Sequence, residues 1–302
     1  MAKKSKSDKN GDKKIEKPRI HHMCSVGTLG GFGGKKGEWT IPQKLKRIRK
    51  AGFDGFLGRV HLLSPEEVQE SGLIFACTTD MSGSEDVEPK LTACKEHGAR
   101  CVNVQMLDHD TDTETAVTRA RQVMAFADKI DLDVSIEVHR DTCTETPEKT
   151  YALAEGFENA EGRGLKMTWD FSHPAVVKHL APPYWDRLAE RPDLMQLSNQ
   201  FHFRPFNGHH AQIPALGNDG EVTPEFMDFM DFADATLANW LQMAGPGREL
   251  FACPEQIGGG YMLSVFGDRF KDVKTIKKYL GKSFKRHLKN WKPQAAAFAK
   301  GL

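Results

Sequence analysis

Strand-like and helix-like segments alternate along the whole of this 302-residue chain, and each type occurs eight times. Such alternation is typical of βα units, whose strands lie parallel in one sheet. A chain of this length could form two average domains, but a closed α/β barrel of about 200–250 residues fits it as well. Eight repeats favour a (β/α)8 TIM barrel over a doubly wound sheet. The predicted strands are Arg19–Val26, Gly55–Val60, Leu73–Thr78, Arg100–Leu107, Leu132–His139, Leu165–Asp170, Gln196–Arg204 and Glu249–Glu255.

Helical segments fill the intervals, and three of them begin with a clear capping pattern. Ser64, Thr146 and Thr223 each precede a proline, followed by a glutamate in the first turn. This pattern is typical of helix N-termini. The predicted helices are Ile41–Ala51, Pro65–Glu70, Val87–His97, Thr113–Lys129, Pro147–Glu158, Ala175–Arg191, Pro224–Met243 and Asp268–Lys292.

Charge is distributed unevenly, with basic ends and an acidic body. Residues 1–18 carry seven lysines against three acids, and residues 268–302 carry eleven lysines and arginines against two aspartates. Because residues 1–18 contain almost no apolar side chains, we predict a disordered basic tail there. We predict that residues 19–302 form a single barrel domain. Its last helix, at about 268–292, would be amphipathic with a basic outer face.

The four late strands carry polar residues on a face that should point into the barrel. On the fifth strand, Glu137 and His139 lie opposite Val134 and Val138 by the two-residue period. Buried carboxylates need a compensating partner, and barrel active sites lie at the carboxyl ends of the strands. We therefore predict a divalent metal site there. Its predicted ligands are Glu137, Asp170, His202 and Glu255.

The donor atoms of this predicted site restrict the metal. Carboxylate oxygens and imidazole nitrogens without thiolates suit Mn²⁺, Mg²⁺, Co²⁺ or Zn²⁺, and we favour Mn²⁺. The six cysteines include no CxxC pair, which argues against a zinc knuckle, a redox dithiol or a disulfide scaffold.

The ordered quartet, with His173 three residues after Asp170, resembles the xylose-isomerase-like TIM-barrel superfamily over residues 19–265 or so. The resemblance implies a metal-dependent isomerase or epimerase of a sugar, polyol or keto sugar. The reaction would proceed by proton abstraction next to a carbonyl that the metal polarises. The resemblance further implies that Glu137 and Glu255 take and return this proton and that His173 contacts the substrate.

A departure from the epimerase pattern leaves a second chemistry open. Cys143 stands where those epimerases carry another glutamate. His139, two residues after Glu137, is similar to a histidine of the C-glycoside deglycosidases, in which a 3-keto sugar loses its aglycone by β-elimination. A neutral histidine is a suitable general base near pH 7, so a 3-keto-glycoside lyase is the alternative.

Other polar residues near the strand ends are predicted to bind a small-molecule carbohydrate substrate. The guanidinium forks of two arginines suit carboxylates, phosphates or hydroxyl groups. The loop of residues 206–212 is long and polar, as a substrate loop would be. Besides His173, the predicted substrate-binding residues are Gln105, Arg140, Arg204, His209 and His210.

Two further alternatives remain at this point. An AP-endonuclease-like phosphodiesterase needs extra histidine ligands on early strands, but strands two and three offer only His61, and the acidic body disfavours a nucleic-acid partner. The other alternative is a non-catalytic, metal-stabilised barrel subunit.

Because neither a long apolar run nor a secretory signal is visible, we expect a cytoplasmic protein without membrane attachment. The sequence leaves open whether the protein forms a homo-oligomer.

Overall fold

The computed structural model describes residues 15–293, and its eight strands form one closed parallel barrel in chain order. Most of the predicted basic tail lies outside the described residues. The barrel closes where the first strand pairs with the eighth, Arg19 being in register with Glu249. The predicted (β/α)8 barrel is therefore confirmed. The strands are β1 Arg19–Ser25, β2 Gly55–Gly58, β3 Ile74–Met81, β4 Cys101–Met106, β5 Asp133–Glu137, β6 Met167–Asp170, β7 Gln200–His202 and β8 Glu249–Cys253.

Helices surround the barrel, and the predicted capping residues begin three of them. Thr146 Oγ1 accepts a hydrogen bond from the backbone N–H of Lys149 at 3.3 Å, and Thr223 Oγ1 accepts one from Phe226 at 3.2 Å. Ser64 belongs to a reciprocal capping box. The helices are α1 Ile41–Lys50, α2 Pro65–Ser71, α3 Val87–Glu96, α4 Thr113–Lys129, α5 Pro147–Glu161, α6 Ser172–Val177, α7 Trp185–Leu188, α8 Pro192–Leu197, α9 Pro224–Met243 and α10 Arg269–Leu288.

The prediction of a single helix over residues 175–191 was wrong. Two short helices, α6 and α7, occupy this part of the chain instead, and a third, α8, follows directly after it. Pro182 and Pro183 lie between the first two, and Pro192 starts the third. A proline inside a helix removes a hydrogen bond and clashes with the preceding turn, so these prolines interrupt the helical pattern.

The apolar core has two parts, one outside the barrel and one inside. Outside, residues such as Val134, Ile136 and Val138 pack beneath the helices. Inside, a small apolar cluster fills part of the barrel. The polar residues of the late strands lie at or near the carboxyl ends of those strands. The inner cluster consists of Met23, Leu57, Ala76, Cys101, Phe251 and Cys253.

Helix α10 closes the outer layer, slightly shorter than the predicted range of 268–292. Its apolar side, including Val273, Leu280 and Phe284, is buried. Phe284 packs against Trp240 of α9, with ring centroids 6.3 Å apart. The lysines and arginines of α10 give this helix a basic outer face. Within residues 15–293, no helix is long and apolar enough to cross a membrane.

Candidate metal centre

Three of the four predicted ligands meet at the carboxyl ends of neighbouring strands. Glu137 ends β5, Asp170 ends β6 and His202 ends β7, and Asp170 is in register with His202. One oxygen or nitrogen atom of each residue lies within 4.8 Å of the others. All three are buried, with exposed fractions of 2%, 0% and 6%. The barrel therefore gathers three ligating groups in a space that suits one ion.

The Glu137 carboxylate is held from two sides. Its Oε2 accepts a hydrogen bond of 2.6 Å from Asn103 Nδ2, and its Oε1 lies 2.9 Å from His202 Nδ1. Asn103 is itself fixed, because its Oδ1 accepts a hydrogen bond of 2.9 Å from Thr78 Oγ1. Partners of this kind behind a ligating carboxylate orient it for a metal.

Several atoms of the cluster are buried without a hydrogen-bond partner. Asp170 Oδ1 accepts hydrogen bonds from the backbone and hydroxyl of Ser172 at 3.0 and 2.6 Å, but its Oδ2 accepts none. His202 Nδ1 also has no assigned hydrogen bond, although Glu137 Oε1 lies 2.9 Å away. Both atoms have charged neighbours, since Arg204 Nη2 is 3.2 Å from Asp170 Oδ2 and Glu137 Oε1 is 2.9 Å from His202 Nδ1, but buried polar atoms almost always form hydrogen bonds as well. A divalent cation fits both the donor set and the unpaired atoms.

Glu255, the fourth predicted ligand, lies at the edge of this cluster. It follows β8, and its Oε2 is 3.8 Å from His202 Nδ1. The same oxygen contacts Arg204 Nη2, which also lies 3.2 Å from Asp170 Oδ2. The guanidinium thus bridges two carboxylates. Glu255 as a metal ligand stays a prediction.

The charges of the cluster shift its proton affinities before any metal binds. Burial alone would raise the pKa of Glu137, but the adjacent His202 outweighs it and lowers this pKa to about 2. Burial would lower the pKa of His202, but the attraction of Glu137 raises it to about 9. Burial also works against ionisation of Asp170, and Arg204 reverses this, so its pKa lies below the usual value. Both carboxylates are therefore ionised at neutral pH, which is the form that ligates a metal, whereas His202 is protonated and has to release a proton when a metal binds.

Two predicted histidines lie next to each other beside the cluster. The rings of His139 and His173 have centroids 4.4 Å apart. His139 Nδ1 lies 2.6 Å from the carbonyl oxygen of Arg140, which accepts a hydrogen bond if Nδ1 carries the proton. In that tautomer Nε2 is the basic nitrogen. Burial lowers the pKa of His139, which favours the neutral imidazole.

An open cavity of about 730 Å³ lies above the cluster. Of the predicted residues, those that line it are Gln105, Glu137, His139, Arg140, His202, Arg204 and Glu255. Asp170 and His173 are buried outside its lining. His209 and His210 are both exposed and also lie outside the lining. His210 lines a neighbouring groove, and the ring of His209 lies 5.9 Å from that of His179.

Two arginines and a tyrosine are among the cavity residues that the sequence interpretation missed. Arg59 directly follows β2, a position where a barrel places site residues, so the strand boundary alone could have indicated it. Tyr261 and Arg269 come from the segment after β8. Arg269 reaches back to the carbonyl oxygens of Thr28 and Gly30 in the first βα loop. Nothing in the spacing of these residues indicates such a long-range contact.

Sequence comparison identifies no relative, since neither a family model nor a curated protein matches this chain. Solved structures do match. A xylose isomerase-like TIM barrel/4-hydroxyphenylpyruvate dioxygenase fusion protein aligns over 92% of this chain with 16% identity and a TM-score of 0.59, and this chain spans 45% of its length.

Two further structures match along nearly their whole length. A xylose isomerase-like TIM barrel protein from Mycobacterium smegmatis, in complex with magnesium, is 16% identical over 87% of this chain and 97% of its own, with a TM-score of 0.54. The 3-keto-D-glucoside 4-epimerase of E. coli, in its apo form, is 15% identical over 87% and 100%, also with a TM-score of 0.54. The chain therefore has the fold of the xylose-isomerase-like TIM barrels.

Proposed function

We propose that this protein is a divalent-metal-dependent isomerase or epimerase of a small carbohydrate or a related keto compound. The observation that carries the proposal is the buried cluster of Glu137, Asp170 and His202, whose donor atoms lie within 4.8 Å of one another next to an open cavity. Two proteins of the same fold support it. One is in complex with magnesium, and another is an epimerase of a keto glucoside. We favour Mn²⁺, with Mg²⁺, Co²⁺ and Zn²⁺ as the other candidates.

The three residues of this cluster would hold the metal. When bound, the cation would draw electron density from a carbonyl or hydroxyl oxygen of the substrate and so acidify the neighbouring C–H bond. Glu255 lines the same cavity, and Arg204 holds its carboxylate in place, so we assign Glu255 as the base that takes this proton. Glu137 faces the cavity from β5 and is the candidate to return it from the other side.

A lyase acting on 3-keto glycosides is the second candidate, and the position of His139 favours it. His139 lines the cavity two residues after Glu137, and its low pKa makes it a neutral base near pH 7. Abstraction of a proton next to a keto group, followed by departure of the aglycone, needs such a base. The two reactions share proton abstraction and differ in the product.

Deuterium exchange tests both candidates together. Protein loaded with Mn²⁺ is incubated in deuterated water with a panel of ketoses and 3-keto glycosides, and carbon-bound deuterium is measured by NMR. We expect metal-dependent exchange in at least one compound. An isomer or epimer as product supports the first candidate, and a released aglycone supports the second.

The control for this experiment is Asp170→Asn, which removes a charged ligand. We expect no exchange with this variant. If protein with confirmed bound Mn²⁺ exchanges no carbon-bound proton in the whole panel, the proton-abstraction proposal is contradicted.

A further inference from the structure

Four arginine side chains line the cavity above the candidate metal centre. Its lining includes only two carboxylates among the described residues, Glu137 and Glu255, and both belong to the centre itself. A neutral sugar would give so many guanidinium groups little to pair with. The four are Arg59, Arg140, Arg204 and Arg269.

Two of these arginines are neutralised within the protein. Arg59 forms a two-point ion pair with Asp80, in which Nη2 lies 2.9 Å from Oδ1. Arg204 contacts Glu255 and Asp170. Arg204 nevertheless has unsatisfied donors. The residue is only 3% exposed, and its Nε and Nη1 are buried without a hydrogen-bond partner. A buried guanidinium next to a cavity with unused donors indicates that a ligand group belongs there.

The other two arginines have no carboxylate within 4.0 Å in the part of the chain that the structure describes. Arg140 donates from Nε to the hydroxyl oxygen of Tyr261 at 2.8 Å. Arg269 donates to the carbonyl oxygens of Thr28 and Gly30, which are uncharged. These two positive charges therefore remain uncompensated on the wall of one cavity.

Tyr261 connects this charge to the metal centre. Its ring lies under both guanidinium groups, with Arg140 at 5.0 Å and Arg204 at 4.3 Å from the ring centroid. The Tyr261 hydroxyl accepts from Arg140 and still has its own proton to donate. One cationic surface thus extends from Arg204, which contacts Glu255, to the exposed Arg140.

We propose that the substrate carries an anionic group, a carboxylate or a phosphate, which binds to Arg140 and Tyr261, with Arg269 supplying a second positive charge in the same cavity. Guanidinium forks match both kinds of oxyanion with two parallel hydrogen bonds. This inference deepens the proposed function and rests on it for the reaction that the rest of the substrate undergoes. The substrate class is accordingly sugar acids or sugar phosphates.

Binding to the metal-free protein tests this inference separately from catalysis. Chelator-treated protein is titrated at low salt with gluconate, inorganic phosphate and neutral sorbitol, and the affinities are measured by calorimetry. We expect gluconate and phosphate to bind and sorbitol not to bind. In Arg140→Gln we expect the anion affinity to fall about tenfold or more, because a charged hydrogen-bond partner is lost. Arg140→Lys keeps the charge but loses the fork, so it should restore part of the affinity.

The matched control is Arg121→Gln. Arg121 is also exposed, but it pairs with Glu161 on the outer helices and does not line the cavity. We expect its anion affinity to equal that of the unchanged protein. Absence of anion binding, equal binding of sorbitol and gluconate, or the same loss in both glutamine variants would each overturn the inference.

The two proposals fail in different ways. Anion binding that depends on Arg140, without carbon-bound exchange in any compound, overturns the proposed function and leaves the anion site standing. Exchange in neutral sugars, together with no anion binding, overturns only the anion site.

Discussion

Glu255 differs from the other predicted ligands in what surrounds it. Glu137, Asp170 and His202 share one cluster, whereas Glu255 contacts the guanidinium of Arg204 and borders the cavity. A carboxylate that is positioned by a cation and open to substrate suits a base better than a purely structural role. The role of Glu255 is therefore best tested on turnover rather than on metal content.

Replacement of Glu255 by glutamine should abolish most of the activity and preserve the fold. The amide keeps the shape of the side chain but cannot take a proton, so we expect the exchange rate to fall by about 10²–10⁴. The measurement is the rate of deuterium incorporation, together with circular dichroism to check the fold. Glu249→Gln is the matched control, because Glu249 lies at the opposite end of the same strand, where it pairs with Arg100.

The outcome also separates an enzyme from a non-catalytic barrel. If the barrel used a metal only for stability, Glu255→Gln would lower the melting temperature, and neither the variant nor the unchanged protein would show turnover. Full turnover in Glu255→Gln would show that another group is the base.

Asn103 should control metal affinity without being a ligand. It is fully buried and donates to Glu137 Oε2 at 2.6 Å. In Asn103→Leu the carboxylate loses its orienting partner, so we expect the affinity for Mn²⁺ to fall about 10- to 100-fold. Calorimetric titration measures this change. Thr78→Val, one hydrogen bond further away, should have a smaller effect, and equal losses in both variants would contradict the assignment.

At the scale of elements, a group of hydrogen-bonded side chains inside the barrel links the strands that carry the candidate metal ligands. Gln200 Nε2 donates to Ser135 Oγ at 2.9 Å and to the carbonyl oxygen of Val102 at 3.1 Å. Ser135 Oγ lies 2.6 Å from Thr168 Oγ1. These residues belong to four strands, so the group fixes the positions of the strand ends that carry the ligands.

The contact between β1 and α10 makes the fold sensitive to acid. His22 of β1 has a buried Nδ1 without a partner and faces Gly281 of α10. Burial lowers the pKa of His22 from 6.5 to about 4, and Lys277 of α10 adds to this, while Asp54 opposes it. The unfolded chain therefore binds a proton between these pH values that the folded chain does not.

We expect stability to fall as the pH drops from about 6.5 towards 4. The sign follows because the unfolded state binds more protons over this range, and the His22 contribution is at most about 3 kcal/mol. In His22→Gln this contribution is absent, so its melting temperature should decline less over the same range. Melting curves of both proteins between pH 7.5 and 4.5 test this, and parallel declines would contradict it.

The strands could be predicted from the sequence better than the helices, for a physical reason. Strand periodicity located all eight strands, because each alternates apolar residues towards the helices with other residues towards the barrel axis. The interruption after α6 was missed, although the prolines that cause it were visible. Local spacing predicted residues 175–191 as one helix, although Pro182 and Pro183 cannot continue a helix.

The candidate site was predictable where it depends on strand ends and not where it depends on loops. Glu137, Asp170 and His202 could be placed together because parallel strands end on one side of the barrel. The exposure of His209 and His210, and the contact of Arg269 with the first loop, depend on loop paths that no periodicity describes.

For the whole molecule, metal binding should be coupled to stability. A ligand that binds only the folded state stabilises it by about 2.7 kcal/mol at a concentration of 100 times its dissociation constant. We therefore expect Mn²⁺ to raise the melting temperature of the chelator-treated protein by several degrees. Asp170→Asn should lack this increase, and an equal increase in both proteins would place the metal elsewhere.

A second group of potential ligands lies on the surface. His109 Nδ1 is 2.8 Å from Asp141 Oδ1, and Glu145 completes the group. His109 and Asp141 are exposed and paired with each other, in contrast to the buried and partly unpaired atoms of the central cluster. We therefore propose the barrel centre, and not this surface group, as the metal site.

The most direct test is anomalous diffraction from crystals grown with Mn²⁺ and measured near the manganese absorption edge. We predict one strong peak at bonding distance, about 2.0–2.3 Å, from carboxylate oxygens of Glu137 and Asp170 and a ring nitrogen of His202. No peak there, or a peak only between His109, Asp141 and Glu145, would contradict the central claim.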